Sequence, residues 1–249
     1  MAAERQRERQ IAVVMYPGLT TLELVGTVSA LSGLGLKTGF KTVTVGESRE
    51  PIEADTPMKL VPERTFEEVS QPFGIVVPGG GLNTITAMGD EVLLTYVRSV
   101  AQEAAIVGAV GNGSLILAAA GLLEGRRATT HWAYRRVLEN LGATFVGGRW
   151  IEDDKFITSG GASGGIDMGL HLVAKHGNER SARQVQLWIE YDPQPPFGNI
   201  EHSAVDEDAL APHLTQHWAD VERSLAHRPD LLEAVQRALE PATHTGTRG

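Results

Sequence analysis

The sequence of 249 residues contains no cysteine. This absence excludes disulfide bonds, zinc sites built on cysteine, thiol nucleophiles and redox sensing through sulfur. Basic residues are also in the minority, because 22 Lys and Arg stand against 31 Asp and Glu and leave a net charge of -9. A nucleic-acid surface needs clustered Lys and Arg, so we expect no nucleic-acid partner.

Long apolar runs are missing as well. No stretch approaches the ~20 consecutive apolar residues of a membrane helix, and residues 1–9 are predicted to form a charged N-terminal arm rather than a signal peptide. We therefore expect no membrane association and a cytoplasmic location. With 42% hydrophobic residues, the chain can bury the core of one α/β domain.

Short apolar runs alternate with stretches of helical spacing between residues 10 and 200. The runs that predict strands are IAVVM (11–15), KTVTV (42–46), GIVVPGGG (74–81), AIVGAV (105–110) and FITSGG (156–161). Helices are predicted near 21–34, 90–104, 113–121, 133–141 and, as two helices, 164–190. This alternation is typical of an α/β fold, a mostly parallel sheet with helices on both faces in a flavodoxin-like three-layer sandwich.

The first helix is predicted to bury the face formed by Leu22, Val25, Val28 and Leu31, with Thr20 or Thr21 as its N-cap. Beyond the main domain, the proline-rich segment 191–202 cannot continue a helix and is predicted to cross the surface. Helical spacing returns at 207–240. Residues 201–249 are thus predicted to form a C-terminal helical extension and a disordered tail, with the helices docked on their own domain or on a second subunit.

The most informative local pattern is Gly111-Asn112-Gly113, where a predicted strand enters a helix through a tight turn. Elbows of this kind hold a catalytic nucleophile over the carboxyl ends of the strands. Open α/β sheets bind ligands at that edge, and a helix N-terminus there offers amides to an anion or a carbonyl oxygen. A nucleophile would sit at position 111, where glycine has no side chain to supply one.

Six segments occur in the order found in the ThiJ/PfpI superfamily, namely YPGLTTLELVG, VVPGGG, VGNGSLILAAAGLL, RATTHWAY, SGGASGGIDMGLHL and QLWIEYDPQPPF. Over residues 10–200 the chain most resembles the isocyanide hydratase branch of that superfamily. The resemblance implies a homodimer without metal or cofactor, acting on a small molecule. It also implies a pocket beside the elbow that holds a cysteine, a carboxylate from the first helix and backbone amides.

Carried over by motif, the pocket carboxylate is Glu23, and Gly111 stands where the family's cysteine would be. The backbone amides that the resemblance places against substrate belong to Gly80, Gly81, Asn112 and Gly113. In the hydratases the cysteine attacks the isocyanide carbon and an aspartate moves protons, giving an N-formamide. Because this chain has glycine and glutamate at those positions, it cannot follow the covalent route.

Glycine at position 111 is expected to relieve the strained turn and to vacate about the volume of a thiol, leaving room for substrate or water. Glu23 reaches one methylene further than aspartate. Partial desolvation would raise its pKa and make it a proton shuttle near neutral pH. The alternative is a carboxylate that merely benefits from the helix dipole.

Other residues have competing interpretations. Asn112 either tolerates the tight turn or bonds substrate, and His131 is either bonded to backbone or in contact with substrate.

Asp167 is interpreted as a helix cap or hydrogen-bond partner, and Trp188 with Tyr191 as a pocket mouth or dimer contact. His213 and His217 lack a third metal ligand and are interpreted as a solvated helix face. VVPGGG lacks the spacing of a phosphate loop, which argues against a pyrophosphate cofactor.

Three functions fit these observations. The first is a cofactor-independent enzyme, a lyase of the hydratase type or an isomerase or cyclase, in which Glu23 is the general acid/base and backbone amides stabilise negative charge. The second is a catalytically inactive small-molecule binding or regulatory protein. The third is an isocyanide hydratase whose nucleophilic cysteine has been removed.

Overall fold

The structure, a computed structural model, describes residues 9–34, 39–200 and 210–239. Its strands are β1 (Gln10–Val14), β2 (Lys41–Gly46), β3 (Ile52–Glu53), β4 (Lys59–Leu60), β5 (Arg64–Thr65), β6 (Gly74–Val77), β7 (Ile106–Val110), β8 (Arg127–Ala128), β9 (Thr144–Phe145), β10 (Trp150–Asp153) and β11 (Phe156–Ser159). Its α-helices are α1 (Thr21–Leu31), α2 (Leu82–Ala87), α3 (Glu91–Glu103), α4 (Ser114–Ala119), α5 (Arg135–Asn140), α6 (Gly164–His176), α7 (Glu179–Trp188), α8 (Leu210–Gln216), α9 (Trp218–Leu225) and α10 (Pro229–Arg237).

The central sheet has seven strands in the order β10-β11-β7-β6-β1-β2-β5. All neighbouring strands run parallel except β10, which is antiparallel to β11. The residues of β6 and β7 are all buried, as expected for parallel strands covered on both faces. The predicted mostly parallel α/β sheet is thus confirmed, and the antiparallel edge strand β10 is an addition that the sequence did not indicate.

Helices cover both faces of this sheet. The crossover from β1 through α1 to β2 moves along the sheet in one direction, and the crossover from β6 through α3 to β7 moves in the other. Because both crossovers are expected to be right-handed, α1 and α3 lie on opposite faces. Helix α6 packs against α1 and α7 packs against α6, while α4 contacts both α3 and α5. The two helical layers enclose the strands in a three-layer arrangement.

The predicted buried face of the first helix is partly wrong. Leu22 and Val25 are 53% and 49% exposed, whereas Glu23, Leu24 and Thr27 are buried. The helix is turned so that its polar residues point inward, which a count of apolar spacing cannot anticipate. Its first turn therefore delivers a carboxylate to the interior.

The N-terminus of α1 is capped from another segment. Thr20 occupies the N-cap position but makes no capping bond with its side chain. Instead Asp55 accepts hydrogen bonds from both the amide and the hydroxyl of Thr21, each at 2.8 Å. This satisfies one of the unpaired amides at the start of the helix and places a second carboxylate near Glu23.

The C-terminal helices pack on the main body of the same chain. Helix α9 contacts α2, and α10 contacts α5. Leu214, Val221 and Leu225 are buried with Val235, and the Asn140 side chain donates to the carbonyl of Ala234 at 2.9 Å. The C-terminal helices thus dock on the domain of their own chain, which is one of the two predicted docking sites. Domain limits at 9/10 and 200/201 stay predictions, and residues 1–8 of the arm and the tail beyond 239 lie outside the described residues.

The segment 128–132 departs from the main sheet. Only Arg127–Ala128 is a strand there, and it pairs in parallel with Thr144–Phe145 in a separate two-stranded sheet. The chain then runs through Thr129 and Thr130 into a 3₁₀ turn at Trp132–Tyr134 before α5. Within the described ranges, no helix is long and apolar enough to cross a membrane.

Candidate active site

The elbow after β7 forms as predicted from the glycine pattern. Gly111 begins a 3₁₀ turn, Gly111–Gly113, that continues directly into α4. Its φ of +53° lies in the left-handed region, where a residue with a side chain is strained. The carbonyl of Gly111 accepts hydrogen bonds from Ser114 Oγ at 3.1 Å and Thr130 Oγ1 at 3.3 Å. These bonds fix the turn at the carboxyl end of a central strand.

Glu23 reaches this turn from the first helix. It is only 4% exposed, and its Oε2 accepts a hydrogen bond from the Gly79 amide at 2.5 Å. A Cβ atom placed on Gly111 would lie 2.2 Å from Glu23 Oε1 and 2.9 Å from Oε2. The carboxylate therefore occupies the space that a side chain at position 111 would fill. The expected vacant thiol-sized volume is wrong, because the longer glutamate side chain fills it.

The environment of Glu23 favours its neutral form. Burial raises its pKa, the Gly79 hydrogen bond opposes that rise, and the charge of Asp55 adds to it, giving a value of about 8. In the described part of the chain, no Lys, Arg or His contacts this carboxylate. A pKa of about 8 favours the protonated form of Glu23 at neutral pH.

The glycine turn between β6 and α2 lies beside the elbow and is joined to it by Asn112. The Gly80 amide donates to Thr84 Oγ1 at 2.6 Å and to Asn112 Oδ1 at 3.2 Å. Asn112 Nδ2 donates in turn to the Gly81 carbonyl at 2.7 Å. The Asn112 side chain, 2% exposed, is thus engaged at both ends in holding the two loops together. This role differs from the predicted tolerance of unusual backbone angles, because Asn112 is not among the residues with a positive φ.

The predicted substrate-binding amides differ in their present contacts. The Gly80 amide is already paired within the protein, and the amide that binds the carboxylate is that of Gly79, which the sequence did not single out. Gly113 needs to be glycine because a Cβ there would lie 2.2 Å from the Val77 carbonyl. Contact of substrate with the amides of Gly80, Gly81, Asn112 and Gly113 stays a prediction.

His131 caps the 3₁₀ turn that follows it. Its Nδ1 accepts from the Ala133 amide at 3.4 Å, and burial lowers its pKa. Its ring lies 5.9 Å from that of Tyr134 in an edge-to-face arrangement. These contacts agree with the interpretation of His131 as bonded to backbone, and its contact with substrate stays a prediction.

Tyr134 is a site residue that sequence reasoning missed. Its hydroxyl lies 3.8 Å from the position that a Cβ on Gly81 would take. Burial raises the pKa of Tyr134, and the charge of Glu23 raises it further. It belongs to the motif RATTHWAY, in which the residue type that indicates acid/base chemistry is histidine, because histidine titrates near neutral pH.

The remaining candidates lie away from the elbow. Asp167 accepts hydrogen bonds from Arg149 Nε at 2.5 Å and from the Tyr191 hydroxyl at 3.1 Å, which agrees with its structural interpretation. Trp188 is 88% exposed. The described residues hold no group of three or more His, Cys, Asp or Glu that could bind a metal ion, and His213 and His217 have no third ligand among them.

Comparison with known proteins agrees with this geometry. Residues 9–175 match the DJ-1/PfpI family. The chain belongs to the DJ-1/PfpI family. It is 38% identical to an isonitrile hydratase of Pseudomonas putida over 87% of this chain and 96% of that protein. A THiJ/PfpI family protein from Pseudomonas syringae superposes with a TM-score of 0.77 at 32% identity, covering 88% of this chain and 90% of the other.

A transcriptional regulator is also among the relatives. The HTH-type regulator CdhR of Pseudomonas aeruginosa is 37% identical over 75% of this chain. The aligned part is 54% of that regulator, so this chain spans about half of its length. The family's domain thus occurs both in a hydratase and within a larger regulatory protein.

Proposed function

We propose that this protein is a hydratase-like enzyme of the DJ-1/PfpI family that works without cysteine and without a cofactor, with Glu23 as its general acid/base. The observation that carries this proposal is the position of the Glu23 carboxyl group. It stands in the volume of the missing side chain at the elbow, and its pKa of about 8 leaves it protonated at neutral pH. The reactive group has in effect moved from position 111 to position 23.

By transferring its proton, Glu23 can catalyse a hydration or the reverse dehydration. Neutral Glu23 gives its proton to an unsaturated carbon, the oxygen of water bonds to the electrophilic carbon, and the glutamate takes a proton back from that water. For an isonitrile, both the proton and the oxygen go to the terminal carbon. Transfer of a proton to nitrogen then gives the N-formamide. No covalent enzyme intermediate forms. An isomerisation or an intramolecular cyclisation would use the same proton transfer.

Once Glu23 has given its proton to carbon, the negative charge lies on its carboxylate, and backbone amides would stabilise it there. The amides of Asn112 and Gly113 begin the turn that leads into α4, where a helix N-terminus favours negative charge. The Gly80 amide would first have to leave Thr84 and Asn112. We therefore assign the larger share of this stabilisation to the elbow.

The decisive comparison is between two glutamate substitutions. Glu23→Gln keeps the size of the side chain and removes its acidic proton, so kcat/KM for a small isonitrile such as tert-butyl isonitrile should fall about 1000-fold. Glu152→Gln, which alters a glutamate on the edge strand β10, should stay within about twofold of the unaltered protein, as surface changes usually do. Formamide production in ¹⁸O-labelled water measures both. Full turnover by Glu23→Gln would exclude the acid/base role.

The relationship to CdhR favours a second candidate, a pocket that binds a small molecule without converting it. Under this candidate the unaltered protein binds isonitriles or formamides but turns none over, and Glu23→Gln changes affinity alone. The third candidate, a hydratase that has simply lost its cysteine, is disfavoured by the overlap between Glu23 and any side chain at position 111.

A homodimer is part of the same proposal. Leu22 and Val25 leave an apolar strip exposed on α1, and Leu187 and Trp188 leave another at the end of α7, at 77% and 88% exposure. Exposed apolar patches of this kind often mark protein interfaces. Analytical ultracentrifugation at micromolar concentration tests this, and a mass of one chain would contradict it.

A further inference from the structure

The tyrosine hydroxyl groups of this protein fall into two classes. Three of the four tyrosines donate to protein oxygens at 3.0, 2.9 and 3.1 Å, namely Tyr16 to Pro78, Tyr96 to Val69 and Tyr191 to Asp167. The hydroxyl of Tyr134 makes no hydrogen bond to any residue in the described ranges, although the residue is only 7% exposed. A buried tyrosine normally finds a partner for its hydroxyl.

The Tyr134 hydroxyl is also open to solvent. The unpaired side-chain oxygens that are fully sealed in the described structure belong to Thr27, Thr42 and Ser159, and the Tyr134 oxygen is not among them. The small exposed part of this residue therefore includes its polar tip. An aromatic wall with a free hydroxyl at its end is typical of a ligand pocket.

The segment that carries Tyr134 is fastened to the elbow. Thr130 Oγ1 donates to the Gly111 carbonyl at 3.3 Å, and the Tyr134 amide donates to the His131 carbonyl at 2.9 Å. The hydroxyl lies against Gly81, two residues beyond the glycine whose amide holds Glu23. It is near enough to Glu23 for that charge to add to the burial that raises the pKa of Tyr134.

We infer that the Tyr134 hydroxyl donates a hydrogen bond to the substrate in the same pocket as the acidic proton of Glu23. This inference rests on the proposed function for the role of Glu23. Because burial keeps Tyr134 neutral, it serves as a donor and does not act as a base. The acceptor is the oxygen that adds to the isonitrile carbon and becomes the formamide oxygen, so the substrate is an uncharged small molecule whose reacting carbon lies beside the Tyr134 hydroxyl.

Tyrosine NMR gives a readout that does not depend on turnover. The protein is labelled with ¹³C at tyrosine Cζ, its signals are assigned with the four Tyr→Phe variants, and N-tert-butylformamide is added as the probe. We expect the Tyr134 signal to move as the amide oxygen accepts its hydrogen bond, while the Tyr96 and Tyr191 signals stay in place. The tert-butyl resonance follows binding of the amide.

Kinetics then measure the contribution of this hydrogen bond. Tyr134→Phe removes the hydroxyl and keeps the ring, so kcat/KM for tert-butyl isonitrile should fall roughly 100-fold, as when one preorganised donor is lost. Tyr96→Phe is the matched control, because it removes a buried hydroxyl whose partner, Val69, lies in another part of the fold. It should stay within about threefold of the unaltered protein.

The two proposals fail in different ways. Loss of turnover in Glu23→Gln with full turnover in Tyr134→Phe, or a Tyr134 signal unmoved by the amide, overturns the role of Tyr134 and leaves that of Glu23 standing. Full turnover in Glu23→Gln overturns the proposed function, and the NMR measurement alone then decides on Tyr134. A shifted signal in that case keeps Tyr134 as a ligand-binding residue, and an unshifted one removes it.

Discussion

Glu23 and Glu152 are two glutamates in different surroundings, one buried beside the elbow and one partly exposed on the edge strand β10. Burial raises the pKa of both. At Glu152, Lys175 Nζ at 3.2 Å and His171 Nε2 at 3.1 Å more than offset that effect, and the pKa is lowered. At Glu23 one backbone amide opposes the burial and Asp55 reinforces it, so the pKa rises to about 8.

The pKa values of the two glutamates differ because of the groups that surround each carboxylate, since the side chains themselves are identical. A carboxylate supplied with cations stays charged and holds structure together, whereas one supplied with a single amide keeps its proton until the solution is mildly alkaline. Glu23 stands in the first turn of α1, where the helix dipole favours negative charge. Burial outweighs that dipole here, and the outcome is an acid suited to proton transfer.

The largest consequence for stability should appear in its pH dependence. Because the folded pKa of Glu23 is raised from 4.5 to about 8, the native state keeps a proton that the unfolded chain releases. Stability is therefore lost as pH rises through this window. Relative to Glu23→Gln, the unaltered protein should lose roughly 3–5 kcal/mol between pH 4.5 and 8. Urea unfolding across that range measures the difference, and parallel curves for the two proteins would contradict it.

A smaller effect should come from placing a side chain on the elbow. Gly111→Ala should cost about 3 kcal/mol, because of the positive φ and the overlap with Glu23. In a Glu23→Asp background the cost should fall to about 1 kcal/mol, since the carboxylate is drawn back by one methylene. That is a coupling of about 2 kcal/mol.

Gly121→Ala is the matched control for this cycle. Gly121 also has a positive φ, of +76°, but a Cβ there meets nothing within 4 Å. Its cost should therefore be about 1 kcal/mol with either residue at position 23. Additive unfolding free energies for Glu23→Asp and Gly111→Ala would show that the two positions do not compete for space.

The smallest effect should come from removing a cation beside Glu152. Lys175→Met should raise the pKa of Glu152 and cost less than about 1 kcal/mol at pH 7, because both side chains are partly exposed. The loss should shrink further in 1 M salt, which screens exposed charges. Unfolding at low and high salt measures it. A loss of several kcal/mol that salt does not change would contradict this prediction. It would mean that the Lys175–Glu152 ion pair contributes to stability as a buried ion pair does.

The sequence was sufficient to predict the layers of the fold. The runs of β6 and β7 are continuous, apolar and buried, as is that of β1 after Gln10, whereas β2 alternates threonine with valine. Glycine marks the turn into α4. Strand β10 was missed because WIED is short, partly exposed and half acidic, so neither alternation nor a continuous apolar run marks it. The orientation of α1 was missed because its inward face includes Glu23 and Thr27, and a polar residue with a role breaks the apolar period.

The candidate site could be located from the sequence but not measured. The motifs placed Glu23, Gly111 and the glycine turn together, and the structure brings them into contact. Whether the Glu23 side chain reaches the space above Gly111 depends on a distance of a few ångströms between the N-termini of α1 and α4. A sequence motif does not contain that distance. Tyr134 was missed for a related reason, since only its unpaired hydroxyl distinguishes it from the other tyrosines.

The competition between residues 23 and 111 for one volume also constrains the order in which substitutions at these two positions can arise. A lineage that began with the aspartate and cysteine of the family would meet a 2.2 Å overlap if glutamate arrived first. If glycine arrived first, the protein would fold around a small cavity and lose its nucleophile, and glutamate could then fill that cavity. A change back to aspartate and cysteine would have to run in the reverse order, with aspartate at position 23 before any side chain at position 111.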